Sequence, residues 1–317
     1  MEQTPKRFET TFEGKTFVFE TGHLAGQAGG AVTVRVGDSM VFAAATMSSE
    51  ARPGVDFMPL TVDYEERMYA GGRIPGSFFR REGRPSEDAI LTARLTDRPL
   101  RPLFPKDLRN DVQVIIYAWS ADGENPLDIL AVNAASAALT ISDAPFGGPV
   151  AAVRIGRVDG RFVVNPTFQQ LDESELDLRI AGTRDAILMV ECGAKQVGEA
   201  IMVQALEFGH QALQPLIALQ ERMAAELAKP KRAYVSAAAN EELAQRVYQR
   251  VAGELDAILE RPYVKAERSA SFDALKAAAL AEIAGEDETL VGPVKEAFES
   301  AMKKVVRARI LDKGIRP

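Results

Sequence analysis

The sequence predicts an α+β protein followed by a separate bundle of helices, and three observations carry that reading. Up to about residue 228, short runs of alternating apolar and polar residues recur between glycine-containing turns, the period-two pattern of strands with one buried face. Helical stretches interrupt them after Pro85, after Asn125 and after Val197. From Lys229 onward the composition shifts to Ala, Glu, Lys, Arg and Leu with almost no strand formers, as in a helical bundle.

Taken in order, RFETTF and TFVFETG alternate around Gly14, and AVTVRV and MVFAAATM flank Gly37-Asp38-Ser39, so both pairs read as hairpins. FMPLTVDYEE gives a further strand, and beyond Pro105 so does DVQVIIYAW. Asn125-Pro126 then opens the helix PLDILAVNAASAALTIS, whose small residues permit close packing. This order predicts an antiparallel sheet with helices laid against it. Strands resume at PVAAVRIGRV, turn at Asp159-Gly160 and continue through RFVV, ELDLRIAG and AILMVECGA. A helical pattern follows from Val197 to about Ala228, kinked or divided at Pro215, and Lys229-Pro230-Lys231 breaks it. In the last part Leu243, Val247, Val251, Leu255, Ile258 and Leu259 mark one amphipathic helix, with others around Phe272–Ile283 and Pro293–Leu311.

Function concentrates between Tyr69 and Pro105. Gly71, Gly72, Pro75 and Gly76 open a loop that cannot be the interior of a helix or strand. At its tip Phe78 and Phe79 adjoin Arg80 and Arg81, flanked by Arg73 and Arg84. Flat rings beside guanidinium groups suit a single strand, since bases stack on the rings while arginines hold phosphates. The alternative is that the two phenylalanines form a small core staple under the loop. Ser86 is the predicted N-cap of the helix that follows, Glu87 and Asp88 sit in its first turn, and Pro99 is predicted to end it. Leu91 and Leu95 are expected to face the core. Arg94 and Arg98 share a neighbouring stripe that Arg101 continues, either inviting an anion or pairing with Asp97, Glu87 or Asp88.

The net charge of −7 argues by itself against nucleic acid, but its distribution reverses the argument. From Arg67 to Arg109 there are ten basic residues against five acidic ones, so that segment carries +5 and the remainder −12. Phosphate would be repelled by most of the surface and drawn to one place. No run of about 18 apolar residues appears, which excludes an apolar membrane-spanning helix. MEQTPKRFETTFEG has no signal-peptide core, so the expected location is the cytoplasm. Cys192, the single cysteine, lies in AILMVECGA and reads as a buried structural thiol. His23 and His210 have no evident partner and read as locally hydrogen-bonded, and no GxGxxG or P-loop pattern supports a Rossmann or Walker site.

GGRIPGSFFRREGRPSEDAILTARLTDRPLRPLFP resembles the FFRR-loop region of the bacterial polynucleotide phosphorylase family, and the likeness continues through VNAASAALTISDAPF, GTRDAILMVECGAKQV and VVRARILDKGIRP. It covers essentially the whole chain but only the first half of a family member. The resemblance implies an RNase PH-like domain (β/α layers of the ribosomal protein S5 domain 2 type) followed by an all-helical domain. On it, residues 1–147 are the N-terminal part of the RNase PH-like domain with the FFRR loop, and 148–232 its C-terminal part. Residues 233–311 are the all-α linking domain and 312–317 the start of a second RNase PH-like domain, so the chain is expected to be a fragment. It further implies a phosphorolytic 3′-to-5′ exoribonuclease of mRNA degradation, a nucleotidyltransferase that runs in both directions. Mg2+ and inorganic phosphate would take part, with single-stranded RNA, a homotrimeric assembly and degradosome components as partners and no membrane. Phe78, Phe79, Arg80, Arg81, Arg84, Arg94, Arg98 and Arg101 are the RNA-binding residues it assigns here.

No catalytic or metal-binding residue is assigned to this segment, which is expected to be inactive alone. In the family, a serine-rich phosphate cradle and an aspartate cluster belong to the second domain. Where the cradle would precede the small-residue helix, this chain has GENPLDILAVNA, with no serine until Ser136. Where the aspartates would stand, NPTFQQLDESELDLRIAGT offers Asp172, Glu173, Glu175 and Asp177, which read as a solvated face, as do Asp63, Glu65 and Glu66. Two other readings stay open: a non-catalytic ring-assembly scaffold, and a self-sufficient RNase PH-like site.

Overall fold

The computed structural model describes residues 5–52, 55, 57–76, 83–236, 241–261 and 264–316. The chain divides into two compact units, Met1–Ser236 and Ala237–Pro317.

In the first unit β1 (Lys6–Phe12), β2 (Lys15–Thr21), β3 (Gly30–Val36) and β4 (Ser39–Ala51) form an antiparallel meander. β5 (Leu60–Glu66), helix α1 (Glu87–Leu100) and β6 (Asn110–Ser120) complete a six-stranded sheet in the order β1-β2-β3-β4-β6-β5. The sheet is mixed, not antiparallel throughout as the strand order suggested. β6 runs antiparallel to β4, but β5 pairs with β6 in parallel, because α1 carries the chain back before β6 begins.

Helix α2 (Leu127–Ile141) packs on β3, β4 and β6 on one side and on β7 (Ala151–Val158) on the other. Every residue from Ile129 to Ile141 is buried. So enclosed a helix needs a close neighbour on all sides, and its small side chains supply the room. A Cβ at Gly30 would lie 2.2 Å from the carbonyl oxygen of Ala138, so only glycine fits there. β8 (Arg161–Val164), the short helix α3 (Phe168–Glu173), β9 (Leu176–Gly182) and β10 (Ile187–Ala194) follow. They build an antiparallel second sheet in the order β10-β9-β7-β8. α3 escaped the sequence reading; it is six residues long, opened by a capping box between Thr167 and Gln170. α4 (Glu199–Ala212) and α5 (Gln214–Leu227) cover the second sheet, divided immediately before Pro215.

Most polar groups buried with α2 are paired, the Thr140 hydroxyl being an exception. Because β8 reaches only as far as Ile155 on β7, strand pairing on that side stops short of Ala152. Asn133 fills the gap: its Nδ2 donates to the Ala152 carbonyl at 2.9 Å and its Oδ1 accepts from the Ala152 amide at 3.1 Å. At the C-terminal end, the Lys231 ammonium donates to the carbonyls of Leu139, Thr140 and Ser142, at 3.2, 3.0 and 2.8 Å. Burial pushes its pKa down while Asp143 opposes the shift. Lys231 belongs to an extended strap, residues 229–236, laced to the same unit by Arg232 on Asp143 and by Tyr234 and Ser236 on Asp107.

Ahead of α2 the Asp122 carboxylate gathers the Glu124 amide at 2.9 Å, the Asn125 amide at 2.8 Å, Asn125 Nδ2 at 2.7 Å and Ser39 Oγ at 2.9 Å. Burial opposes its ionisation, but the hydrogen bonds from Asn125, Glu124 and Ser39 outweigh burial and hold the carboxyl well below the usual carboxylate range.

The second unit is three helices, α6 (Glu241–Glu260), α7 (Lys265–Ile283) and α8 (Glu288–Lys313). They share a core of Val247, Val251, Leu255, Leu275, Ala279, Val294, Phe298 and Ala301. α8 starts five residues before Pro293, which it absorbs. Its buried Arg309 ties it to α6 through Asp256 at 2.8 Å and Glu260 at 2.7 Å.

Two stability measurements test this account. Asn133→Ala leaves a strand amide and carbonyl buried without partners and is expected to lower the unfolding free energy by about 2–4 kcal/mol in urea titrations. Asp122 has a depressed folded pKa, so its contribution is present at neutral pH and fades as pH falls below about 4. Asp122→Ala is therefore expected to cost about 1–2 kcal/mol at pH 7, with the gap to the parent narrowing in titrations at pH 3.

Candidate nucleic-acid interface

Helix α1 begins as its sequence dictates, with Ser86 Oγ accepting from the Ala89 amide at 3.0 Å. Two expectations for it are corrected. Pro99 does not end the helix but lies buried in its last turn, and the chain passes through Leu100 into a 3-10 turn at Arg101–Leu103. Leu95 faces the core, whereas Leu91 is 55% exposed, as is its neighbour Ile90 at 51%. The buried stripe runs through Ala89, Thr96 and Leu100; Thr96 is accommodated because its hydroxyl donates to the Thr92 carbonyl at 2.9 Å.

The arginines of the stretch fan out. Arg73 and Arg84 line a cleft of about 870 Å³ together with Glu65, Glu66, Arg67 and Ser86, and neither has an ion pair among the described residues. Arg94 is exposed, likewise without an ion pair among those residues, and lines an adjoining groove of about 390 Å³ between α1 and β5. Arg98 reaches across to Glu191 on β10. Arg101 is the most committed. Its guanidinium binds both oxygens of Asp97, at 3.0 and 2.8 Å, and the carbonyls of Met58 and Leu60 at 3.1 and 3.0 Å, fastening the start of β5 to the end of α1. The spacing offered Asp97 to Arg94 or Arg98; Arg101 takes it instead. Phe78, Phe79, Arg80 and Arg81 lie outside the described residues.

The two stretches compared with a cradle and an aspartate cluster come together in space. Asp128, in the first turn of α2, accepts from Arg179 Nε at 2.8 Å and faces Arg154 Nη1 at 3.5 Å. Arg154, only 7% exposed, grips both oxygens of Asp177 at 2.6 and 2.7 Å. Arg179 continues to Glu191 at 3.3 Å, which also receives Arg98. Burial opposes the charge on Asp177, but the hydrogen bonds and charge of Arg154, with Arg179 beyond, hold its carboxyl below the usual range. Asp177 is thus part of a half-buried ion network, a correction to its reading as solvated face. Glu175 pairs with Arg157, while Asp172 and Glu173 are exposed. Among the described residues no three His, Cys, Asp or Glu side chains converge as a metal site would require. The sequence held a signal for this network: Arg154 and Arg179 interrupt otherwise apolar strands, which buried arginines do only when paired.

Cys192 also departs from expectation. It is exposed on β10, an edge strand whose outward side has no neighbouring strand. Burial and the nearby Asp177 still push its thiol pKa up, which favours the unreactive form. His210 meets the Thr183 carbonyl at 3.1 Å, a local hydrogen bond as its sequence suggested.

One feature escaped the sequence reading entirely. Arg67 lies over the Tyr117 ring at 4.8 Å, and Phe42 lies nearly parallel to both Tyr117 and Trp119, with centroids 6.5 and 4.7 Å away. Alternation in DVQVIIYAW places Tyr117 and Trp119 on one face, but only the pairing of β4 with β6 brings in Phe42.

Comparison with known proteins fits this architecture. Residues 13–145 match the 3′ exoribonuclease family, domain 1, and residues 148–212 its domain 2. Residues 242–317 match the polyribonucleotide nucleotidyltransferase RNA binding domain. The polyribonucleotide nucleotidyltransferase of Thermus thermophilus is 50% identical over 98% of this chain, and that of Chloroflexus aggregans 48% identical over 96%. The chain spans 44% and 41% of the length of these relatives. Among solved structures, rice Rrp46 superposes with a TM-score of 0.52 at 14% identity, covering 71% of this chain and 96% of that one, a likeness of fold alone. The chain therefore belongs to the 3′ exoribonuclease family and corresponds to the N-terminal part of the polyribonucleotide nucleotidyltransferases.

Proposed function

We propose that this chain is the RNA-holding part of a phosphorolytic 3′-to-5′ exoribonuclease, and the observation that carries the reading is the cleft lined by Arg73 and Arg84. Arg73 and Arg84 present guanidinium groups there with no ion-paired acid among the described residues, in a chain of net charge −7. Such a site draws a polyanion to one place. Phe78, Phe79, Arg80 and Arg81 stack on and hold the strand at the loop tip, and Arg84 and Arg94 contact its phosphates. Arg98 and Arg101 border the approach, held in place by their ion pairs with Glu191 and Asp97.

In the whole enzyme, an oxygen of inorganic phosphate attacks the terminal phosphodiester phosphorus. The bond to the preceding 3′ oxygen breaks, releasing a nucleoside diphosphate and a shortened strand; the reverse reaction is polymerisation. Mg2+ would offset charge in that step; Asp177 and Asp128 do not offer it a site here, since Arg154 and Arg179 already neutralise them. In this reading catalysis and metal binding lie in the family's second domain, outside this segment. The enzyme works as a homotrimer in cytoplasmic mRNA degradation, with degradosome components as its partners.

A second reading, a ring-assembly scaffold without RNA contact, draws on exposed Ile90 and Leu91 beside the free edge of β5. Fluorescence anisotropy with a short labelled single strand separates the two. Arg84→Ala combined with Arg94→Ala is expected to weaken binding severalfold and to reduce the slope of log affinity against log salt by about 1.4, at about 0.7 per lost phosphate contact. Arg80→Ala with Arg81→Ala is expected to act likewise, and unchanged affinity at low salt would remove the loop from the mechanism. Incubated with RNA and phosphate, the segment alone is expected to release no nucleoside diphosphate; release would place an active site within it.

A further inference from the structure

The outer face of the six-stranded sheet carries a row of rings leading away from the arginine cleft. Arg67 lines that cleft and caps Tyr117; Phe42, opposite Tyr117 in the strand register, continues the row to Trp119. Trp119 and Phe42 then form part of the wall of a separate cavity of about 220 Å³, completed by Met40, Thr33, His23 and Glu20. Cross-strand rings ordinarily do no more than staple two strands together. Three things set this row apart. Tyr117 and Trp119 remain partly exposed on either side of the buried Phe42, the guanidinium at one end belongs to the cleft, and the other end opens into a cavity.

The cavity's size and charge narrow what it takes. Drug-sized ligands need roughly 300–1,000 Å³, so the space suits a single planar ring system. The Glu20 carboxylate repels phosphate and accepts from N–H groups. We propose that Trp119 and this cavity form a stacking subsite for one unpaired nucleobase, its N–H donors turned toward Glu20, with the Arg67 to Trp119 row guiding the strand from the cleft. The proposal rests on the RNA-binding reading above and adds a second place on this chain where RNA is held.

The chain contains a single tryptophan, so its intrinsic emission reports on Trp119 alone. The whole 317-residue chain is titrated with a short labelled oligoadenylate at low salt, following strand anisotropy and tryptophan emission together. Saturable quenching at the anisotropy midpoint is expected, whereas an abasic strand of equal length should raise anisotropy without quenching. Trp119→Phe, which keeps a flat ring, is expected to hold affinity within about twofold, and Trp119→Leu to lose about tenfold. A strand that binds while emission stays unchanged would overturn the subsite and leave the row as a sheet staple, with the RNA reading intact. No anisotropy change at all would overturn the RNA reading and the subsite with it. Because the quenching is read on the unmodified chain, a misfolded variant cannot decide the outcome.

Discussion

The enclosure of α2 between two sheets is the constraint from which much of the first unit follows. A helix buried on every side from Ile129 to Ile141 can hold only side chains that fit between sheet faces and polar groups that find partners inside. That accounts for the alanines, for Gly30 beneath Ala138, and for Asn133 standing in for a missing strand beside Ala152. Both helix ends are answered in the same terms. Asp128 sits at the N-terminal turn within the arginine network, while Lys231 closes the C-terminal carbonyls. The strap that leads out of the unit is thereby part of the unit.

Charge around the buried arginines is arranged on a similar principle of local satisfaction. Arg154, Arg179, Arg98 and Arg101 are each held by carboxylates or carbonyls, and the buried ones could not be tolerated otherwise. Arg73, Arg84 and Arg94 stand apart, exposed and without ion pairs among the described residues. Solvent exposure keeps those three guanidinium groups available to an anionic ligand.

The same logic extends to the acids of the first unit. Its acids lie where two family stretches converge, yet each oxygen of Asp177 faces Arg154 at hydrogen-bond distance. A bidentate guanidinium pair at such range competes directly with a divalent cation for the same lone pairs. Ahead of α2, the amides of Glu124 and Asn125 are turned toward Asp122, an anion the chain provides itself.

The sequence alone settled the strands, the entry of α1 and the all-helical end of the chain, because these rest on period, caps and glycine turns that act over a few residues, but it started α7 and α8 late and passed over α3. Ser86 as a cap, the division before Pro215 and the apolar stripe of α6 were all legible in this way. The positive segment from Arg67 to Arg109 was equally plain, being a matter of counting. What needed the tertiary structure was every pairing between distant residues. Local spacing could not tell that Leu91 would be left outside while Thr96 went in, or that Cys192 would lie on an exposed edge strand. Nor could it show that Asp177 would meet Arg154, or that Phe42 would complete a row with Tyr117 and Trp119. Each of those depends on which strand lies beside which, and strand order is set by the shared burial of surfaces far apart in the chain.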